Sequence, residues 1–187
     1  MVTYELIAPC HFGLESVLKK EIYDLGYDIV SVEDGKVTFE GDSEAIVRAN
    51  INLRTAERVL LKVGQFKAVT FTELFDQTKE LPWEELIPVN GRFWVTKASS
   101  INSKLFSQSD IQSIVKKAIV ERLKGKYNVS WFQEDGAPYP LRVNIHKDVV
   151  TIGLDTSGDS LHKRGYRPVA GKAPISECLA AALIKLT

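Results

Sequence analysis

Tyr27-Asp28-Ile29-Val30-Ser31-Val32-Glu33-Asp34-Gly35-Lys36-Val37-Thr38-Phe39-Glu40 reads as two strands folded back on each other. Apolar and polar residues alternate on both sides of Asp34-Gly35, and an Asp-Gly pair between alternating runs is a strong short-range hairpin signal. Toward the N-terminus, Phe12 to Leu25 reads as a helix. Its Leu14, Val17, Leu18, Ile22 and Leu25 share one face, and Gly26 follows as the stop. Tyr4-Glu5-Leu6-Ile7-Ala8 before it is a short strand. Toward the C-terminus, Asp42 or Ser43 caps a helix that runs to about Asn50, and Arg58 to Gln65 supplies a fourth strand. The order is βαββαβ.

That order is the one of a ferredoxin-like unit, and a second α/β unit follows it. Thr70 caps a helix at Phe71-Thr72-Glu73-Leu74-Phe75, and Pro82 starts a short one at Trp83. Asn90-Gly91 turns into a strand over Arg92 to Lys97, followed by a polar, basic loop from Ala98 to Lys104. Ser109 or Asp110 caps the clearest helix of the chain, with Ile111, Ile114, Val115, Ala118, Ile119 and Leu123 as its buried stripe. Leu141 to Ile145 and Val149 to Leu154 form the last strand pair, joined by His146-Lys147-Asp148. The expected architecture is α+β, with units over residues 1–66 and 67–157 and a tail over 158–187.

The tail changes character. Residues 161–172 carry four positive charges and no negative one, and an apolar helical run, Cys178-Leu179-Ala180-Ala181-Ala182-Leu183-Ile184, follows. Such a helix needs a partner surface. We expect it to open a further domain beyond Thr187; the alternative is a helix docking back on the units before it.

The 187 residues include 24 Lys+Arg and 24 Asp+Glu, a formal charge of zero that conceals an asymmetry. Residues 1–60 hold 6 basic and 11 acidic side chains, whereas residues 92–126 hold 8 and 2. A basic body behind an acidic head steers one face toward polyanions. The N-terminus lacks the charged head and apolar core of a signal peptide, and no apolar run is long enough for a membrane span. Cys10 and Cys178, far apart and outside any CxxC pair, suit a reducing, cytoplasmic setting without disulfide or metal.

Catalytic constellations are missing. His11, His146 and His162 are scattered without metal-ligand spacing, and neither HExxH nor GxSxG occurs. Gly165 and Gly171-Lys172 do not make a phosphate loop, because the spacing is one residue too long and Ala173 stands where Ser or Thr would bind magnesium. No glycine-rich strand-to-helix turn offers to hold a cofactor. A binding surface remains. Lys97, Ser103, Lys104, Lys116, Lys117, Lys163, Arg164, Tyr166 and Arg167 supply cations, a hydroxyl and an aromatic ring of the kinds that grip RNA. Phe93, Trp94, Trp131 and Trp83 are expected in the core, and Glu134-Asp135 in a turn.

The two-unit order, the segment Ser109 to Ile119, Leu161-His162-Lys163-Arg164-Gly165-Tyr166-Arg167 and Ala173 to Ile184 together resemble the N-terminal half of THUMP-domain RNA methyltransferases. The nearest resemblance is to the bacterial enzymes that methylate guanine N2 in large-subunit ribosomal RNA, for which an older label was N6-adenine DNA methylase. The resemblance implies a THUMP unit that binds structured RNA and presents it to a downstream Rossmann-like domain holding S-adenosylmethionine. It implies neither catalytic residue nor cofactor site in this chain, which contains no Asn-Pro pair. A stand-alone protein-interaction or regulatory domain is the competing reading, motivated by the acidic first unit; a complete small enzyme has no supporting motif.

Overall fold

The computed structural model describes residues 2–165, 167, 171 and 174–187. The chain forms two compact units, Met1–Leu61 with Asp155–Thr187, and Lys62–Leu154.

In the first unit, β1 (Tyr4–Pro9), α1 (Glu15–Asp24), β2 (Ile29–Glu33), β3 (Lys36–Gly41), α2 (Ser43–Asn52) and the start of β4 (Leu60–Lys67) realise the βαββαβ order. The strands lie in the order β2-β3-β1-β4. Antiparallel β3 is inserted between β1 and β2, with Leu6 opposite Phe39 and Val32 opposite Val37. The hairpin turns where the sequence places it: Glu33 pairs with Lys36, and Gly35 takes the left-handed φ of 77° that favours glycine. Of the two candidate caps of α2, Asp42 is the one used, its Oδ1 accepting from the Ala45 N–H at 3.0 Å. Leu6, Ala8, Leu18, Ile22, Val37 and Phe39 are buried as one apolar layer.

The tail belongs to this unit. Helix α5 (Glu177–Leu186), capped by Ser176, buries Cys178 and Ala182. Lys185 Nζ lies 3.3 Å from Oε1 of Glu21, a carboxylate only 5% exposed. Glu21 also accepts from the backbone N–H of Arg54 at 3.2 Å and of Thr55 at 3.0 Å, and from the Thr55 hydroxyl. A buried carboxylate is tolerable only when so many donors replace water. Asp155–Thr187 group with Met1–Leu61.

In the second unit, the strands lie in the order β4-β7-β6-β5, with β5 (Arg92–Ile101), β6 (Pro138–His146) and β7 (Val149–Asp155). β6 and β7 are antiparallel, whereas β5 runs parallel to β6 from Arg92 opposite Pro138 to Ile101 opposite His146. Helix α4 (Gln108–Tyr127) makes the crossover that a parallel pair requires. Its Ile111, Val115, Ile119 and Leu123 pack with Phe93, Leu141, Val143, Ile145, Val150 and Ile152. Helix α3 (Phe71–Glu80) starts with a complete capping box between Thr70 and Glu73.

Four expectations need correction here. Ala98 to Ile101 is strand, not loop: its serines are weak strand formers, but the ladder to Val143–His146 satisfies their backbone. Helix α4 has Ser107 as its N-cap residue, two or three positions before the expected Ser109 or Asp110. Trp131 is 81% exposed, because its neighbour Phe132 is the ring that packs edge-on against Phe93, at 6.3 Å between centroids. Trp94 is half-buried, while Trp83 is fully buried with its indole N–H bonded to the Thr78 carbonyl at 2.7 Å.

Arg122 on α4 forks onto Glu84 in the 3₁₀ turn Trp83–Glu85, with Nε–Oε2 at 2.9 Å and Nη2–Oε1 at 2.7 Å. That fork, assisted by Lys126, holds the Glu84 carboxyl at about 2, against an ordinary 4.5. A depressed carboxylate contributes stability above its unfolded value and loses it as pH falls toward the folded one. Between pH 4.5 and 2 the native protein should therefore lose about 1 kcal/mol more than Arg122→Gln does, solvent screening included. Urea unfolding of both proteins across that window checks it. Among the described residues, no helix is long and apolar enough to cross a membrane.

Candidate nucleic-acid interface

One aspartate organises an end of the second unit. The turn from β6 to β7 is Lys147-Asp148, and both residues have left-handed φ, 50° and 64°. Hairpins favour Asn-Gly at such a turn, so two side-chain-bearing residues here are strained. Asp148 is fastened by three bonds that offset the strain. Its carbonyl accepts from Ala68 N–H at 2.9 Å, its Oδ1 accepts from Lys104 N–H at 2.8 Å, and its own N–H donates to Ser103 Oγ at 3.0 Å. Lys147 N–H adds a bond to the Ile101 carbonyl at 3.2 Å.

Three segments distant in sequence thus meet within one residue of Asp148, and each brings a lysine: Lys67, Lys104 and Lys147. All three are exposed, and none of their ammonium groups has an ion-pair partner among the described residues. Two neighbouring carboxylates are engaged by backbone donors. Asp148 serves Lys104 N–H, and Glu73 accepts from Val69 N–H at 2.7 Å and Thr70 N–H at 3.3 Å. What faces water is a cationic cluster on a backbone held by cross-links, suited to anchoring phosphates without further ordering.

The residues read from sequence divide accordingly. Lys104 is in the cluster. Ser103 is beside it, but its hydroxyl is engaged, donating to the Ile101 carbonyl at 2.9 Å while accepting from Asp148. Lys97 on β5 and Lys117 on α4 are exposed. Lys116 is not a free cation: its Nζ lies 3.7 Å from Glu134 and 5.8 Å from the centre of the Phe93 ring. Glu134 is accordingly more than turn chemistry.

Lys163, Arg164 and Arg167 lie in the first unit. Lys163 is exposed. Arg164 is a structural residue, for its guanidinium donates to the carbonyls of Leu161 at 2.7 Å, Asn50 at 2.9 Å, Leu53 at 2.6 Å and Ile51. Those of Asn50, Ile51 and Leu53 are carbonyls that the end of α2 leaves without helical partners. Arg167 lies 3.5 Å from Glu177. Tyr166 is outside the described residues. Sequence reasoning missed Lys67 and Lys147, because no local pattern marks either one. The nearest available signal was Lys147-Asp148 standing where a turn favours Asn-Gly.

The residues of the β1–α1 and β3–α2 turns do not offer a cradle to an adenosyl cofactor. The N–H groups of Gly13, in the β1–α1 turn, and of Gly35, in the β2–β3 turn, donate to Glu15 Oε1 at 3.1 and 2.8 Å, so the chain's own carboxylate fills the place of an anion. At the β3–α2 turn, Gly41 is needed for packing, since a Cβ there would lie 2.3 Å from that of Ala45. These residues do not fit the group, and no step through it is assigned to this chain. Burial, with nearby carboxylates adding to it, pushes the Cys10 thiol up to about 12 and raises Cys178 likewise, so neither is a nucleophile at neutral pH.

Comparison with known proteins agrees with this layout. Residues 5–60 match the RlmL ferredoxin-like domain and residues 68–155 match the THUMP domain. The chain is 53% identical over 190 aligned positions to "Putative RNA methyltransferase YpsC" of Bacillus subtilis (strain 168), aligning over its whole length to 49% of that protein. A solved structure described as a predicted N6-adenine-specific DNA methylase from Listeria monocytogenes is 52% identical with a TM-score of 0.94. Another, SMU.472, described as a putative methyltransferase complexed with SAH, is 41% identical with a TM-score of 0.92. Both cover 100% of this chain and 49% of the other. The chain spans about half the length of the relatives it matches. In chain order it thus matches an RlmL-type ferredoxin-like domain followed by a THUMP domain.

Proposed function

We propose that this chain is the RNA-binding, substrate-presenting part of an S-adenosylmethionine-dependent RNA methyltransferase, working in the cytoplasm and not catalytic by itself. The observation that carries the reading is the gathering of Lys67, Lys104 and Lys147 around Asp148 within a THUMP domain. Lys97 and Lys117, in the same unit, are candidates to extend that contact. The finer assignment, guanine N2 of large-subunit ribosomal RNA as methyl acceptor, rests on the sequence resemblance and concerns the whole protein, in which the cofactor would be held outside the residues described here.

Fluorescence polarisation with this 187-residue chain tests the reading. A labelled RNA stem-loop should bind with an affinity that falls steeply with salt, by about one decade per decade of salt for each phosphate contacted. A DNA stem-loop of the same sequence should bind more weakly, since the RNA helix presents hydroxyls that DNA lacks. Equal affinity would favour the DNA substrate that the Listeria relative's description names. Salt-independent binding would remove the reading.

One observation favours a second reading. Val47 and Ile51, one turn apart on α2, are 56% and 60% exposed on the acidic first unit. A protein-interaction role would show as partners that stay bound after nuclease treatment.

A further inference from the structure

Beside the lysine cluster stands an aromatic side chain that the fold does not use. Phe106 is 81% exposed, although the residue before it, Leu105, is only 4% exposed and packs in the core of the second unit. The segment between β5 and α4 is not loose. The Ser100 hydroxyl donates to the Leu105 carbonyl, Ser103 Oγ bridges Ile101 and Asp148, and Lys104 N–H is bonded to Asp148. Leu105 anchors the segment inward, and on either side of it Lys104 and Phe106 are left in solvent. Ile101, 58% exposed, adds apolar surface next to the same turn.

A phenylalanine ring held in water forgoes the free energy that its burial would release. Its setting indicates what would recover that energy. Its neighbours within two residues on one side are a lysine and a buried leucine, and Lys67 and Lys147 reach the same turn, so the approaching surface must tolerate dense positive charge. An apolar protein face would have to bury those ammonium groups, which is costly. An unpaired nucleotide meets both demands, with an aromatic base face for the ring and a phosphate for the lysines. Lys104 and Phe106 flank the buried Leu105, and both are exposed.

We propose that Phe106 is a stacking platform for an unpaired RNA base, with Lys104 and the lysines around Asp148 holding the phosphates that flank it. The proposal rests on the RNA-binding reading and adds a specificity to it: junctions between paired and unpaired RNA are preferred to fully paired RNA. Because the backbone of the platform is fixed by hydrogen bonds before any ligand arrives, the ring binds without first being ordered.

The test compares two labelled probes, a blunt two-stranded RNA duplex and the same duplex with a short single-stranded tail of uridines. The wild-type chain should bind the tailed probe about tenfold more tightly, within the range of one base–aromatic stack. Phe106→Ala should abolish that preference while leaving the affinity for the blunt probe unchanged, and Phe106→Trp should keep it. A preference that survives in Phe106→Ala overturns the platform. So does an equal loss for both probes, or a loss that Phe106→Trp fails to rescue, either of which would indicate a structural role or a protein partner for the ring. If wild-type protein binds both probes equally and with steep salt dependence, the RNA-binding reading stands and only the platform fails. If it binds neither, both fail.

Discussion

Reversing Lys67, Lys104 and Lys147 together to glutamate will weaken binding to a stem-loop RNA by about 100-fold or more and reduce the slope of affinity against salt by about 3. The three ammonium groups are exposed and have no ion-pair partner among the described residues, so substitution removes nothing the fold depends on. The melting temperature should stay within a few degrees of the wild type. Each backbone is pinned to the Asp148 turn, so the three charges act on one stretch of phosphates. Lys116→Glu is the informative contrast. Lys116 already faces Glu134 at 3.7 Å, so its reversal costs a surface ion pair and changes affinity by only severalfold. Polarisation titrations at several salt concentrations measure both quantities. Should Lys116→Glu match the triple variant, the interface lies along α4 instead.

Arg164→Ala is expected to do the opposite, lowering stability and sparing RNA affinity. Its guanidinium reaches the carbonyls of Asn50, Ile51 and Leu53 at the end of α2, and Leu161 in the tail. Removing a charged donor from several acceptors costs about 2–3 kcal/mol, which for a chain of this size lowers the melting temperature by about 4–12 °C. Lysine will not substitute well, because an ammonium cannot spread over acceptors that a planar fork meets in parallel. Calorimetry of Arg164→Ala and Arg164→Lys gives the stability change, and polarisation at low temperature gives the affinity. A stable Arg164→Ala that no longer bound RNA would return this arginine to the interface, where its basic, aromatic sequence surroundings first put it.

Arg164 and Lys147 show from opposite sides how much of the site could be read from sequence. In Leu161 to Arg167, a run of cations next to an aromatic looks like a ligand surface, yet the partners of Arg164 are carbonyls up to 114 positions away. In His146-Lys147-Asp148, an ordinary hairpin turn hides the residue on which the cluster is built. Lys104 was legible because a polar, basic segment needs no partner to be recognised. Lys67 and Lys147 were not, since only the cross-links to Asp148 make them its neighbours.

Periodicity and turn chemistry in the chain were enough to establish the βαββαβ order, the Asp34-Gly35 hairpin, the capping of α3 by Thr70 and the buried stripe of α4. These depend on interactions within a few residues, so a local pattern carries them. Tertiary structure alone decided that Ala98 to Ile101 is strand, that Trp131 faces water, that α5 packs with the first unit and that three lysines share one turn. Each of those outcomes depends on a partner far along the chain, such as Lys104 and Asp148 at 44 positions apart, and a linear pattern does not encode which distant group will complete a ladder, cover a ring or take up a charge.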